Sequence, residues 1–77
     1  MTNEKLLLER IKESGLKRGY IIEKLGTSYE WFNKKIANET PFKAYEIQIL
    51  CDLLKITDLN EKEAIFFARD VEDSSTD

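Results

Sequence analysis

The chain has 77 residues, a net charge of −3 and a sequence pI near 5.0. This length predicts one domain, which buries only about 60% of its unfolded surface and therefore depends on a well-packed core or a partner. The sequence contains no histidine and one cysteine, Cys51, which excludes an internal disulfide, the usual zinc clusters and Ser/His or Cys/His catalytic pairs. We therefore expect no enzyme activity, no cofactor, no metal and no small-molecule substrate.

Charge is distributed unevenly along the chain. Residues 1–14 carry no net charge, residues 15–45 carry six basic and three acidic side chains, and residues 46–77 carry three basic and nine acidic ones. A basic middle and an acidic end indicate an anionic partner for the middle of the chain. Charge alone leaves an alternative open, because a small charged protein can show this asymmetry by chance.

No segment is predicted to enter a membrane. The apolar run in MTNEKLLLER has three Leu residues, too few for a signal peptide, and no stretch approaches the roughly 18–20 apolar residues that span a bilayer. Cys51 lies in the apolar run IQILCDLL, where a buried thiol is expected, and a lone cysteine suits a reducing compartment. The sequence thus predicts a cytoplasmic protein without membrane contacts.

Apolar spacing and capping residues predict three helices in the first half of the chain. The first covers about residues 3–14 and is ended by Gly15. The second covers about residues 17–25 and is ended by Gly26. The third covers about residues 28–37. Glycine after the last periodic residue is a frequent helix terminator because it adopts the left-handed conformation without strain.

The second half contains a loop, two further helices and a tail. Pro41 cannot continue a helix, so NETPF is predicted to be a loop. A fourth helix covers about residues 42–54, where apolar residues recur at i, i+3, i+4 and i+7. A fifth covers about residues 60–69, with a cap signal at Asn60. Residues 71–77 are acidic and small and are expected to be disordered. No alternating strand pattern occurs, so the predicted class is all-α.

The stretch EKLGTSYEWFNKKI has the pattern of a helix-turn-helix motif. Two short helices are joined by a tight turn in which Gly26 must adopt a left-handed conformation. The apolar residues on both sides of this glycine must then face one core, which leaves the other positions of the second helix free to enter a major groove. The expected inward residues are Ile21, Ile22, Leu25, Phe32 and Ile36.

The order IIEKLGTSYEWFNKKI resembles the Cro/CI-type (XRE, lambda-repressor-like) helix-turn-helix family. The pieces KLGTS, FNKKI and FFA are also similar to small Cro-like proteins of phages and prophages of Gram-positive bacteria. The resemblance covers about residues 6–68 and implies a five-helix lambda-repressor-like domain over residues 1–70, with the motif in helices two and three. The chain departs from the family in having Ile22 in place of Ala, Lys35 in place of an apolar residue, and the large Trp31.

The resemblance and the local chemistry together predict two groups of DNA contacts. Outward positions of the third helix are expected to touch base edges, and basic or amide side chains around the motif are expected to touch phosphates. The base-contacting residues are predicted to be Ser28, Tyr29, Glu30, Asn33 and Lys34. The phosphate-contacting residues are predicted to be Lys17, Arg18, Lys35, Asn38 and Lys43, with Gly26 as the turn residue.

Several of these residues have competing roles. For Glu30 the favoured role is to reach back to the cap amide, of Thr27 or Ser28, in a capping box, and Tyr29, Asn33 or Lys34 can simply be packed or solvated. Lys17 and Arg18 oppose the dipole of the second helix, which is easier to understand if they face phosphates. The stem of Lys35 is expected to pack while its ammonium extends towards phosphate.

Ile65, Phe66 and Phe67 are consecutive, and at about 100° per residue they cover an arc too wide for one core face. We therefore expect one ring to face outward, and Phe66 and Phe67 are predicted to form a dimer or partner interface. The alternative is a fold that encloses both rings.

These features predict a transcriptional regulator that binds double-stranded DNA at a pseudo-palindromic operator as a homodimer. An alternative is a protein-binding module, such as an antirepressor or an assembly partner, that keeps the helix-turn-helix shape without binding DNA.

Overall fold

The computed structural model describes residues 1–69, and the tail predicted at residues 71–77 lies outside the described residues. Residues 1–69 contain five helices and no strand, which confirms the all-α class and the number of helices. The helices are α1 (Glu4–Ser14), α2 (Arg18–Leu25), α3 (Tyr29–Ile36), α4 (Ala44–Leu54) and α5 (Leu59–Phe66). None of these five has the length and apolar character needed to cross a bilayer.

Polar caps define where three of the helices begin. The side chain of Asn3 accepts a hydrogen bond from the Leu6 amide at the start of α1, and Ser28 does the same for the Trp31 amide at the start of α3. The predicted capping box at Glu30 is therefore wrong, since Ser28 and not Thr27 is the cap. Asp58, not Asn60, caps α5. Each such bond satisfies a backbone donor that has no partner within the helix.

The core lies where the inner faces of all five helices meet. Three aromatic rings form its centre: Phe32 packs edge-on against Phe42 with ring centroids 6.1 Å apart, and Phe42 packs edge-on against Phe66 at 6.0 Å. Edge-to-face contacts of this kind are favourable beyond the area they bury. The core residues are Leu7, Ile11, Ile21, Ile22, Leu25, Phe32, Ile36, Phe42, Ile47, Leu50, Cys51, Leu54, Ile56, Ile65 and Phe66.

The last turn of α5 separates the two consecutive Phe residues. Phe66 is 4% exposed and belongs to the core, whereas Phe67 is 55% exposed. The expectation that one ring faces outward is confirmed for Phe67. The prediction that Phe66 contributes to an interface is wrong, because its ring is buried against Phe42. The helix also ends at Phe66 rather than near Arg69.

Cys51 is buried in α4, as its apolar neighbourhood predicts. Burial raises the pKa of its thiol above the ordinary value, because the low-dielectric interior disfavours the thiolate. Cys51 therefore acts as a small apolar core residue.

Arg10 connects α1 to the end of α4 and to α5. Its guanidinium donates to the carbonyl of Leu54 at 2.8 Å and to that of Lys55 at 3.3 Å. Its Nε lies 2.8 Å from a carboxylate oxygen of Glu61, although without an aligned hydrogen bond. Arg10 thus satisfies carbonyls at the end of α4 that have no partner within the helix.

The first three residues bridge α5 and the loop after α3. The amide of Asn3 donates to the carbonyl of Ile65 at 2.7 Å, and the amide of Ala68 donates to the carbonyl of Met1 at 2.8 Å. Thr2, between them, is buried and pairs with the side chain of Asn38. The N-terminal segment therefore ties the exit of α3 to the end of α5.

Candidate nucleic-acid interface

The turn between α2 and α3 is built on Gly26. Its φ of 71° and ψ of 30° lie in the left-handed region, as the motif predicts. Its amide donates to the carbonyls of Ile22 at 3.0 Å and Glu23 at 3.1 Å. A residue with a side chain is strained at this φ, whereas glycine is not. Ile22, which stands where the family has Ala, is 8% exposed and its side chain is part of the core.

The inner face of α3 closes the core. Phe32 is fully buried and Ile36 is 4% exposed, on the same side of the helix because four residues is about one turn. They meet Ile21 and Leu25 of α2, which are 0% and 4% exposed. The predicted inward set is confirmed, and the remaining side of α3 is left to solvent.

The outer face of α3 carries aromatic and charged side chains. Tyr29 is 57% and Trp31 is 50% exposed. The ammonium of Lys34 lies 3.7 Å from a carboxylate oxygen of Glu30 and 5.1 Å from the Trp31 ring centroid. Exposed pairs of this kind add little stability, but they restrict where the Lys34 ammonium points. Lys34 is thus held beside Trp31 on the open side of the helix.

Arg18, at the start of α2, contacts Asn33 of α3; both were predicted to contact DNA. The guanidinium of Arg18 donates to Oδ1 of Asn33 on α3 at 3.3 Å. Lys17 precedes the helix in an extended conformation, is exposed, and makes no side-chain cap bond. The structure therefore brings Arg18 next to the outer face of α3, with Lys17 beside it along the chain.

Ser28 and Lys43 are helix-start residues. The hydroxyl oxygen of Ser28 is engaged by the Trp31 amide at 3.1 Å. Lys43 is exposed, and its backbone amide donates to Oε1 of Glu46 at 2.8 Å. Its ammonium remains available at the surface. An open groove of about 350 Å³ separates Trp31 on α3 from Lys43 and Tyr45 at the start of α4.

Asn38 was predicted to contact a phosphate, but its side chain is bound within the protein. Asn38 has a positive φ of 66°, and its side chain both accepts from the Thr2 amide at 2.8 Å and donates to the Thr2 carbonyl at 2.9 Å. Both ends of its amide are therefore committed inside the protein. Asparagine tolerates this left-handed conformation better than most residues.

Lys35 does not extend its ammonium to the surface. The residue is 7% exposed, and Nζ lies 2.6 Å from Oε1 and 2.5 Å from Oε2 of Glu46. A lysine three residues after Phe32 is on the inner side of the helix, and a buried partner carboxylate satisfies it there. The expected extension towards phosphate is therefore corrected to a buried ion pair.

Glu46 and Thr2 are the residues that sequence reasoning missed. A signal for Glu46 was present, because it stands four residues before Leu50 and eight before Leu54 on the buried stripe of α4. An acid on such a stripe requires a buried base. No comparable signal marks Thr2, whose burial depends on how the chain terminus meets the α3–α4 loop.

Comparisons of the chain with protein-family models, with curated proteins and with solved structures gave no significant match.

Proposed function

We propose that this protein is a sequence-specific double-stranded DNA-binding regulator of transcription, of the Cro/CI lambda-repressor-like type that its sequence resembles. In this proposal α2 and α3 form the helix-turn-helix motif, and α3 enters the major groove. The protein acts as a homodimer on a pseudo-palindromic operator, with two copies of α3 about one helical turn, ~34 Å, apart.

The observation that carries the proposal is the division of α3 into two faces after a left-handed glycine turn. Phe32 and Ile36 are buried, whereas Tyr29 is exposed and Lys34 keeps 41% of its side chain accessible. A short helix anchored on one side and polar on the other is the element that a major groove accepts.

The chemistry of the outer face suits base edges. A lysine ammonium donates to O6 and N7 of guanine, and an asparagine side chain pairs with adenine. Lys34 lies beside Glu30 and Trp31 on this face, and 41% of its side chain is accessible to a ligand. Glu30 is 80% exposed at its side chain and is the candidate acceptor for a cytosine amino group.

Backbone contacts are proposed for basic residues on both sides of α3. Lys17 and Arg18 lie at the start of α2, and Lys43 lies at the start of α4 across the groove from Trp31. Cations here raise affinity for any sequence and make binding depend on salt. Lys35 is left out of this set because it is paired with Glu46.

The decisive experiment is selection of the protein on a random duplex pool, followed by a salt titration on the enriched site. We expect a two-fold-symmetric site whose log affinity falls with log salt by about 0.9 per phosphate contact. The Lys34→Ala variant is expected to bind this site more weakly and with relaxed specificity. Lys12→Ala, which removes an exposed lysine from the last turn of α1, is the matched control and should bind like the wild type.

A second candidate function, binding to a protein, is favoured by the exposed aromatic side chains. Trp31, Tyr45 and Phe67 are each at least half exposed, and aromatic residues are enriched at protein interfaces. Failure to enrich any duplex at low salt would contradict the DNA proposal and support this one.

A further inference from the structure

Two charged side chains are buried where α3 meets α4. Both oxygens of Glu46 receive the Lys35 ammonium, and the two side chains are only 3% and 8% exposed. Oε1 of Glu46 also accepts the backbone amide of Lys43. One carboxylate therefore joins the last turn of α3, the residue before α4 and the first turn of α4.

Stability does not explain this pair. Removing two charges from water is costly, and a buried ion pair is often matched or exceeded in stability by apolar residues of similar volume. The neighbouring contact between Phe32 and Phe42 shows that apolar packing is available at this junction. The ion pair differs from such packing in that it joins particular polar atoms of α3 and α4.

The pair adds a contact between named polar atoms at a fixed distance. Aromatic packing such as that of Phe32 on Phe42 also has a preferred geometry, but it does not join the backbone before α4 to α3. A lysine ammonium is a point charge on a flexible stem, so its contact with two carboxylate oxygens sets a distance within the hydrogen-bonding range. In the part of the chain that the structure describes, Lys35 and Glu46 form the side-chain hydrogen bonds that join α3 to α4.

The orientation of α3 decides where its outer face points. Lys34 immediately precedes Lys35, so the contact of Lys35 with Glu46 restricts rotation of the helix at the residue proposed to contact a base, in addition to the restriction set by the buried Phe32 and Ile36. Base contacts need this precision, since donor and acceptor must meet within a few tenths of an ångström of about 2.9 Å. A small rotation of α3 would displace Lys34 and Asn33 together.

We propose that Lys35 and Glu46 are specificity-determining positioning residues that fix the orientation of α3 for base contacts without touching DNA. This inference rests on the proposed DNA-binding function. It assigns two adjacent lysines opposite roles: Lys34 acts on the ligand, and Lys35 acts on the helix that carries Lys34.

The test is the double variant Lys35→Met/Glu46→Gln. Met retains the apolar stem of the lysine, and Gln retains an oxygen for the Lys43 amide, so the change removes both charges and the two hydrogen bonds between the side chains. We expect cooperative unfolding to persist, while preference for the selected site over a scrambled duplex falls by about tenfold or more, as expected when a directed base contact is lost.

The salt titration separates positioning from direct contact. Because Lys35 does not neutralise a phosphate in this proposal, the double variant should keep the wild-type salt slope. Lys34→Met, the same substitution at the adjacent exposed position, is the matched control. Unchanged site preference in the double variant, or a salt slope reduced by about one phosphate, would overturn the proposal.

A measurement on the free protein distinguishes this inference from the proposed function. Residual dipolar couplings and amide exchange should show α3 reoriented or loosened against α4 in the double variant, with α1 and α5 unchanged. If α3 keeps its orientation, the positioning role is wrong whatever the DNA result. If α3 moves but the wild type selects no duplex, the proposed function fails and the specificity role fails with it, while the orienting contact stands.

A second variant tests the same role if the double variant does not fold. Glu46→Asp keeps both charges but withdraws the carboxylate by one methylene group. We expect it to lose site preference in the same way, with the salt slope unchanged. Wild-type preference in a folded Glu46→Asp protein would contradict a directional role.

Discussion

Two helices of eight residues, α3 and α5, lie on either side of α4 in the sequence and present different surfaces. On the outer face of α3, the charged Lys34 lies beside Glu30 and Trp31. At the two ends of α5, large apolar side chains are exposed among polar ones, with Leu59 at 76% and Phe67 at 55% exposure. The two helices are similar in length but not in what they offer a ligand.

These two surfaces would allow one small domain to use different chemistry for the two kinds of binding proposed for it. A polar face with directed donors suits base edges and phosphates, which supports the proposed role of α3. An exposed aromatic residue beside an apolar groove suits a protein surface, and Phe67 lies on such a groove of about 410 Å³ with Met1 and Pro41. In the proposed dimer, α5 would meet the second subunit.

The largest expected effect separates the two Phe residues at the end of α5. Phe66→Ala should lower the free energy of unfolding by about 3–5 kcal/mol, because it opens a cavity against Phe42. Phe67→Ala should change it by less than about 0.5 kcal/mol, because the ring is exposed. Urea unfolding of both variants measures the contrast, and equal losses would show that the last turn of α5 is packed differently.

The next largest loss of stability is expected from breaking the contact between Asn38 and Thr2, which links the exit of α3 to the end of α5. Asn38→Ala removes two hydrogen bonds to Thr2 and leaves alanine at a positive φ, so we expect a loss of about 2–3 kcal/mol. Asn38→Gly keeps the backbone conformation and should recover the part due to strain. Thermal unfolding of the pair separates the two causes, and wild-type stability in Asn38→Ala would refute the link.

At the outer face of α3, the substitution of Lys34 is expected to lower the affinity for DNA and to leave the stability of the fold unchanged. Lys34→Ala should cost about 1–3 kcal/mol of affinity for the selected duplex and relax one base position. Its unfolding free energy should stay within about 0.5 kcal/mol of the wild type. Titration and unfolding of the same preparation test this, and unchanged affinity would remove Lys34 from the contact set.

The smallest effect tests the turn that leads into α3. Gly26→Ala should destabilise the protein by about 1–2 kcal/mol through its positive φ, since no atom would crowd the added methyl group. Gly19→Ala, within α2 and equally uncrowded, should instead stabilise it by about 0.5–1 kcal/mol. Opposite signs in thermal unfolding would confirm that the turn, and not space, requires glycine.

Much of the fold follows from local patterns. The five helices, the left-handed Gly26 and the inward Phe32 were predictable because each depends on residues within one or two turns of the chain. Boundaries were less secure at α5, where Asp58 competes with Asn60 for the cap. Both are good capping residues, and only the path of the preceding loop chooses between them.

The candidate site was predictable in composition but not in detail. The order of residues identifies the outer face of α3 with Tyr29 and Lys34, and it also identifies exposed cations at Lys17 and Lys43. It does not show that Asn38 is occupied by Thr2, because that contact joins residues 36 positions apart. A polar side chain in a loop has the same local pattern whether its partner is solvent, DNA or another part of the chain.

Helix caps, periodicity and turn residues act over short range, so the local pattern of this chain is enough to predict a small all-α domain with a glycine-turned helix pair in its basic middle third. Which of two adjacent lysines faces solvent and which is buried depends on the packing of segments that are distant along the chain. Helical periodicity brings Lys35 to the side of Phe32, but burial of its charge is tolerable only because Glu46, eleven residues away, meets it there. Long-range electrostatic pairing of this kind is set by packing, not by local sequence.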